Sequence, residues 1–301
     1  MKSKLLMASV ALAMMAAPAL AQEKLKIGMT FQELNNPYFV SMQEALKEAA
    51  ASIGADVVVT DAGHDVAKQI SDVEDMLQQK IDILLLNPTD SAGIEAAVHA
   101  AKAAGVIVVA VDANANGPVD TFVGSKNRDA GYMSCKHLAE SLGGKGEVAI
   151  LDGIPVVPIL QRVEGCKAAL AEFKDVKLVD TQNGRQDRSV ALGVVENMIQ
   201  SRPNLAGIFS VNDGGAMGAL AAIQGSGKDI KLTSVDGAPE AVKAIADGTA
   251  FIETTAQFPR DQVRVGLAMA LAQKWGARVV PKEVPIDVMV VDSKNAADFS
   301  W

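Results

Sequence analysis

The order of apolar segments predicts an α/β protein built as two doubly wound lobes with parallel sheets. Three observations carry this expectation. Short aliphatic runs alternate with stretches whose apolar residues recur at helical spacing, along almost the whole chain. The aliphatic runs are near-continuously apolar, as strands covered by helices on both faces must be. They are also too many for one comfortable sheet in a chain of 301 residues, a length that commonly divides into two domains.

Taken in order, Leu25 to Thr30 reads as the first strand, and Asn36-Pro37 starts a helix whose apolar face is Met42, Leu46, Ala49 and Ile53. Val57 to Thr60 follows as strand, Val66, Ile70, Val73 and Leu77 as a helix face, and Ile83 to Leu86 as strand. Ser91 to Ala104 reads as helix, Val106 to Val111 and Val119 to Gly124 as strands, and Arg128 to Leu142 as helix. In the second half the expected strands are Val148 to Leu151, Val176 to Asp180, Gly207 to Val211, Lys231 to Val235 and Ala250 to Thr255. Helices are expected over 159–172, 188–200, 214–224, 239–246 and 260–274.

The start of the chain sets the compartment. Lys2 and Lys4, an apolar run from Leu5 to Ala17 and the small-x-small pattern Ala19-Leu20-Ala21 read as a cleaved secretory signal over 1–21, which directs the protein to a periplasm. No cysteine near the cut offers a lipid anchor, and no other stretch approaches the ~20 apolar residues needed to span a bilayer. The formal net charge is −8, and −10 once Lys2 and Lys4 are removed. A chain so anionic and without basic clusters is repelled by nucleic-acid and membrane phosphates, so no nucleic-acid partner is expected.

Cys135 and Cys166 are the two cysteines, and an oxidising compartment lets them form one disulfide; two buried thiols are the alternative. Metal binding lacks support, because His64, His99 and His137 are scattered and neither cysteine has a near neighbour of its kind. No Gly-x-Gly-x-x-Gly follows the first strand, and Gly143-Gly144-Lys145-Gly146 lies between a helix and a strand, the wrong order for a phosphate cradle. No nucleophile with a partnering base can be placed at a strand end. Neither an enzyme nor a cofactor is expected.

Ligands in doubly wound sheets sit beyond the carboxyl ends of the strands, and that is where the unusual polar residues fall. They are Asn35-Asn36-Pro37-Tyr38-Phe39, Asn87-Pro88-Thr89-Asp90, Asp112, Asn212-Asp213, Asp236-Gly237 and Gln257. Each alone is an ordinary turn or helix cap; six at one rim make a set of acceptors and donors suited to hydroxyl groups, which are both. In a chain that is 4% aromatic, Tyr38-Phe39 beside Asn36 supplies an apolar plate for the C–H face of a sugar.

These segments, with Met217-Gly218-Ala219-Leu220 and Ala256-Gln257, resemble the ribose-type periplasmic binding proteins of ABC importers, in order and over nearly all of residues 24–291. The resemblance implies two Rossmann-like lobes, 22–125 plus 258–287 and 126–257 plus 288–301. Three crossovers join them, near Ser125-Lys126, Gln257-Phe258 and Asp287-Val288. It implies sugar-bonding roles for Asn36, Asp112, Arg162, Asn212, Asp236 and Gln257, stacking roles for Tyr38 and Phe39, and a place at the pocket edge for Asn87. It puts Cys135 and Cys166 on helices of the second lobe, on either side of the Val148 to Leu151 strand, so a bridge is the expectation. Two positions depart from the family's ribose binders: Ala113 stands where they carry Arg, and Gln186 where they carry a third aromatic. The implied protein is a monomer that hands a monosaccharide or polyol other than ribose to the membrane subunits of an ABC importer. A periplasmic sugar sensor is the alternative, whereas a repressor's effector domain would place a DNA-binding helix-turn-helix where this chain has its signal.

Overall fold

A computed structural model describes residues 24–301; the expected signal segment lies outside the described residues. The chain runs β1 (Lys26–Phe31), α1 (Pro37–Ser52), β2 (Asp56–Asp61), α2 (Val66–Gln78), β3 (Ile83–Leu86), α3 (Glu95–Ala103), β4 (Ile107–Val111) and β5 (Thr121–Ser125). It continues α4 (Asn127–Ser141), β6 (Lys145–Asp152), α5 (Val157–Leu170), β7 (Asp175–Asn183), α6 (Arg188–Ser201), β8 (Leu205–Ser210), α7 (Asp213–Ser226), β9 (Lys231–Asp236) and α8 (Pro239–Ala246). It ends β10 (Phe251–Ala256), α9 (Pro259–Lys274), β11 (Glu283–Ile286) and β12 (Met289–Asp292).

These strands form two six-stranded sheets, β11-β5-β4-β3-β1-β2 and β12-β10-β9-β8-β6-β7. The chain passes between sheets three times, at 125–127, 256–259 and 286–289. In each sheet a central strand, β1 or β6, has its successor on one side and the next strand on the other. That reversal opens a crevice at the carboxyl ends, and the two crevices face each other across the molecule.

Strand alternation assigns the cores. Ile27, Met29 and Phe31 of β1 pack with α1 and α9, while Leu84 and Leu86 of β3 turn to α2 and α3. In the second lobe Val148 and Ile150 face α4 and α5, and Ala149 and Leu151 face α6, α7 and α8. Both sheets are thus covered on both faces, as near-continuous apolar strands require.

The structure departs from the expected elements in three places. The helix expected from Ser91 begins at Glu95, because the Asp90 carboxylate accepts the N–H groups of Ala92 and Gly93, both at 2.9 Å, and holds the preceding residues in a turn. β11 and β12 escaped the periodic reading, being four residues each with Pro285 inside one of them. The second sheet is not wholly parallel, since β12 pairs antiparallel with β10. Cys135 on α4 and Cys166 on α5 are joined, with Cα atoms 4.9 Å apart. Their helices, which flank β6 in chain order, lie side by side on one face of the second sheet.

Candidate functional site

The loop after β1 supplies the first group. Asn36 caps α1, its Oδ1 accepting the Tyr38 N–H at 3.0 Å, and Pro37 fixes the first helical position. This cap swings Tyr38 and Phe39 onto the first helical turn, where both are nearly buried yet line the cleft. Phe39 belongs to the first-lobe core, its ring centroid 6.2 Å from that of Phe31. Tyr38 stands edge-on to it at 5.3 Å and carries its hydroxyl into the cleft wall, where Asp112 Oδ1 accepts from it at 3.2 Å. Gln262 Nε2 in turn donates to that hydroxyl at 2.8 Å. Tyr38 is therefore a polar anchor of the cleft wall, where an apolar plate alone was expected.

Asp112 follows β4 in a left-handed conformation, φ 67°, which aims its carboxylate at the crevice. Asn87, at the end of β3, is fully buried behind it and donates to Oδ2 at 3.1 Å. Its Oδ1 accepts the Gln32 N–H. Asn87 is thus an orienting residue, set back from the cleft edge at which it was expected. Burial pushes the Asp112 pKa up to about 6, and nearby Asp236 adds to this, while Arg162, Tyr38 and Asn87 oppose it.

From the second lobe, Arg162 rises from α5, buried, with Nε donating to Asn127 Oδ1 at 2.8 Å. Its Nη1 donates to the Val211 carbonyl at 2.8 Å and to Asp236 Oδ1 at 3.2 Å. No protein acceptor among the described residues takes its Nη2, so one arm of the fork remains for a ligand. Asp236 ends β9 at φ 140° and also accepts from Gln257 Nε2, at 2.7 Å. Asn212 caps α7 through Gly215 N–H at 3.0 Å while its Nδ2 donates to the Gln186 carbonyl. Asn36 and Asn212 therefore each cap a helix and line the cleft with the same side chain.

Asn36, Tyr38, Phe39, Asp112, Ala113, Arg162, Gln186, Asn212, Asp236 and Gln257 surround one cleft, about 420 Å³ of space that includes its open mouth. Gln32 and the apolar Val156, Pro158 and Ile159 complete it. These last were not anticipated, although the run Ile154-Pro155-Val156-Val157-Pro158 was the signal for an apolar wall opposite the aromatics. Two carboxylates and one guanidinium give the walls a slight acidic excess, suited to neutral ligands rich in hydroxyls.

Asp213 lies behind Asp236 and outside the cleft, accepting from Thr254 Oγ1 at 2.8 Å, from Ala238 N–H at 2.7 Å and from the Ser234 hydroxyl. Burial first, and then Asp236, raise its pKa to about 7. Glu253 on β10 is fully buried and makes no ion pair among the described residues. Its Oε2 lies 2.8 Å from Ser134 Oγ, which is 3.0 Å from the Ser234 carbonyl oxygen. A neutral carboxyl completes this chain, donating to Ser134 while Ser134 donates to the carbonyl. Burial accordingly raises its pKa to about 8. The native protein then holds a proton that the unfolded chain releases above the ordinary value of 4.5, so this group lowers stability progressively as pH rises towards 8. Glu253→Gln is expected to raise the melting midpoint relative to wild type at pH 8.5 and to change it little at pH 5. A difference between the two proteins that is independent of pH refutes the neutral Glu253.

The histidines stand apart from the cleft: His64 pairs with Glu33 at 3.2 Å, His99 with Glu95 at 3.7 Å, and His137 is half-buried on α4. No helix among the described residues is long and apolar enough to cross a membrane.

Known proteins share this fold. The model of the periplasmic binding protein domain matches residues 27–277. Ribose import binding protein RbsB of Bacillus subtilis is 40% identical over 227 residues, which cover 75% of this chain and 74% of that protein. The protein of the same name from Escherichia coli is 33% identical over 290 residues, 95% and 96% of the two chains. Among solved structures, an ABC transporter periplasmic solute binding protein from Actinobacillus succinogenes with bound D-allose superposes with a TM-score of 0.86. It is 31% identical, over 92% of this chain and 100% of that one. The Caulobacter myo-inositol binding protein bound to myo-inositol gives 0.85 at 29% identity, over 92% and 96%. Two doubly wound lobes facing one polar cleft, three crossings between them and a match running from β1 past the end of α9 make this chain a member of the periplasmic binding protein domain family.

Proposed function

We propose that this protein, exported by its leading segment, works as a monomer that captures a monosaccharide or sugar alcohol between its lobes and presents it to the membrane subunits of an ABC importer. The observation that carries the reading is the cleft itself. Asn36 and Asp112 of one lobe, and Arg162, Asn212 and Asp236 of the other, converge with Gln257 of the second crossing on a space walled by Tyr38 and Phe39. Such a ring satisfies hydroxyls from both lobes at once, which stabilises a closed form by differential contact. Solved relatives bind D-allose and myo-inositol, and a curated relative is a xylitol-binding protein.

Ribose is the disfavoured member of this class. Ala113 supplies none of the donors an Arg would, and it leaves Asp112 with uncharged direct partners, Tyr38 and Asn87, among the described residues. Gln186 replaces a plate by an amide whose Oε1 already accepts from Ile154 N–H at 3.3 Å, so that Nε2 is free to donate to a further hydroxyl. The test is a thermal-shift screen of D-ribose, D-allose, xylitol and myo-inositol followed by calorimetry; ligand at 100 times its dissociation constant adds about 2.7 kcal/mol to stability. A hexose or polyol is expected to bind more tightly than ribose. Ribose binding as tightly as the best of the others overturns the selectivity, and no binding by any sugar or polyol overturns the function.

A further inference from the structure

We infer that Trp301 is a positioning residue of the sugar site, a clasp that ties the two lobes together from behind the cleft; the inference rests on the reading of that cleft given above. The final segment leaves β12 in the second sheet, turns through 293–298 and sets Phe299 against the second-lobe core, 6.4 Å from the ring of Phe258 at the second crossing. Trp301 then reaches the other lobe. Its ring packs against the first-lobe core and meets Tyr38 nearly at right angles, with centroids 5.8 Å apart. Its indole Nε1–H donates back to the carbonyl of Asp236, at 3.1 Å. Trp301 thereby touches one cleft residue from each lobe without lining the cleft itself.

Both of its partners need holding. Asp236 sits at φ 140°, a backbone state that residues with side chains rarely adopt and that persists only when its surroundings over-determine it. Its carbonyl accepts two donors, the Gln257 N–H at 2.9 Å and Trp301 Nε1–H, and these fix the plane from which the carboxylate projects. The Tyr38 ring is edged by Phe39 on one side and Trp301 on another, which sets the hydroxyl that binds Asp112. Any rotation about the crossings that parts the lobes must give up either the Tyr38 contact or the Asp236 hydrogen bond. Trp301 consequently favours the closed arrangement and slows ligand escape, while ligand choice stays with the residues that line the cleft.

The test compares wild type, Trp301→Ala and Trp301→Phe by calorimetry and stopped-flow against D-ribose, D-allose, xylitol and myo-inositol. Trp301→Ala is expected to bind roughly tenfold more weakly, mainly through faster dissociation, with the ranking of the four ligands kept. Trp301→Phe, which keeps a ring but loses the donor, is expected to fall about threefold. A Trp275→Phe protein makes Trp301 the sole indole, since Trp275 is an exposed residue at the end of α9. Its emission should shift, and acrylamide quenching should fall, on ligand binding. Wild-type affinity in Trp301→Ala, or emission unchanged by a ligand that calorimetry shows to bind, overturns the clasp and leaves the site standing. Wild type that binds none of the four overturns the site and the clasp together.

Discussion

Asp236→Ala is expected to weaken binding of the preferred sugar by about 2–4 kcal/mol, roughly 30- to 1,000-fold, while the protein still folds. The size of the effect comes from what the carboxylate does besides its proposed contact with the ligand. Its Oδ1 accepts from Arg162 Nη1 and Gln257 Nε2, and its Oδ2 from the Asp213 N–H at 3.3 Å. Alanine removes the proposed acceptor of the ligand and leaves a buried guanidinium without its one carboxylate partner among the described residues, so the fork and the Gln257 amide lose their aim together. Arg162→Lys is expected to lose affinity comparably. A single ammonium cannot span Asn127, Val211 and Asp236 while offering a further donor to ligand. Isothermal calorimetry with circular dichroism as the folding control decides this; Asp236→Ala with wild-type affinity sinks the assignment of Asp236 as a ligand acceptor.

Much of the cleft could be read from the chain because its residues are local events at strand ends. Asp112, Asn212, Asp236 and Gln257 stand at or just past the end of a strand, and Asn36 in the short loop after β1, so finding the strands finds the residues. Arg162 cannot be found in this way. It rises from the second turn of α5 and is pointed by Asn127, 35 residues away, and only the family resemblance marked it. Asn87 also follows a strand, yet the neighbouring Asp112 turns outward at positive φ and covers it, a detail of backbone conformation with no signature in composition. The anchoring of the Tyr38 hydroxyl has no local signature, because its partner Gln262 lies 224 residues away. Trp301 follows the same rule: its partners belong to β9 and α1, and only the closing of the fold brings them within reach.

Gly131→Ala is expected to destabilise the protein and weaken ligand binding in one stroke, whereas Gly193→Ala should stabilise it and leave binding unchanged. Gly131 on α4 and Gly165 on α5 face each other where the two helices cross. A Cβ at 131 would stand 1.9 Å from the carbonyl oxygen of Arg162, and one at 165 would stand 1.9 Å from that of Arg128. Both obstacles are backbone, so the methyl cannot be accommodated by turning a side chain. The Cys135–Cys166 bridge lies about one turn from Gly131, holding the helices at this distance and resisting the separation that would relieve the clash. Overpacking of this kind costs ~1–3 kcal/mol or more, which exceeds the ~1 kcal/mol gained by replacing a helical glycine with alanine. The residue whose carbonyl is struck is Arg162 itself, so α5 shifts at the position from which the guanidinium reaches Asp236. Gly193, in the interior of α6, has nothing within 4 Å of an added Cβ, and there the helix-propensity gain stands alone. Thermal melts and calorimetry on the two variants should therefore move in opposite directions for stability, with affinity lost only at 131. A Gly131→Ala protein as stable as wild type would show that the helices have room to spare, and full affinity in it would show that the seat of Arg162 does not depend on this crossing.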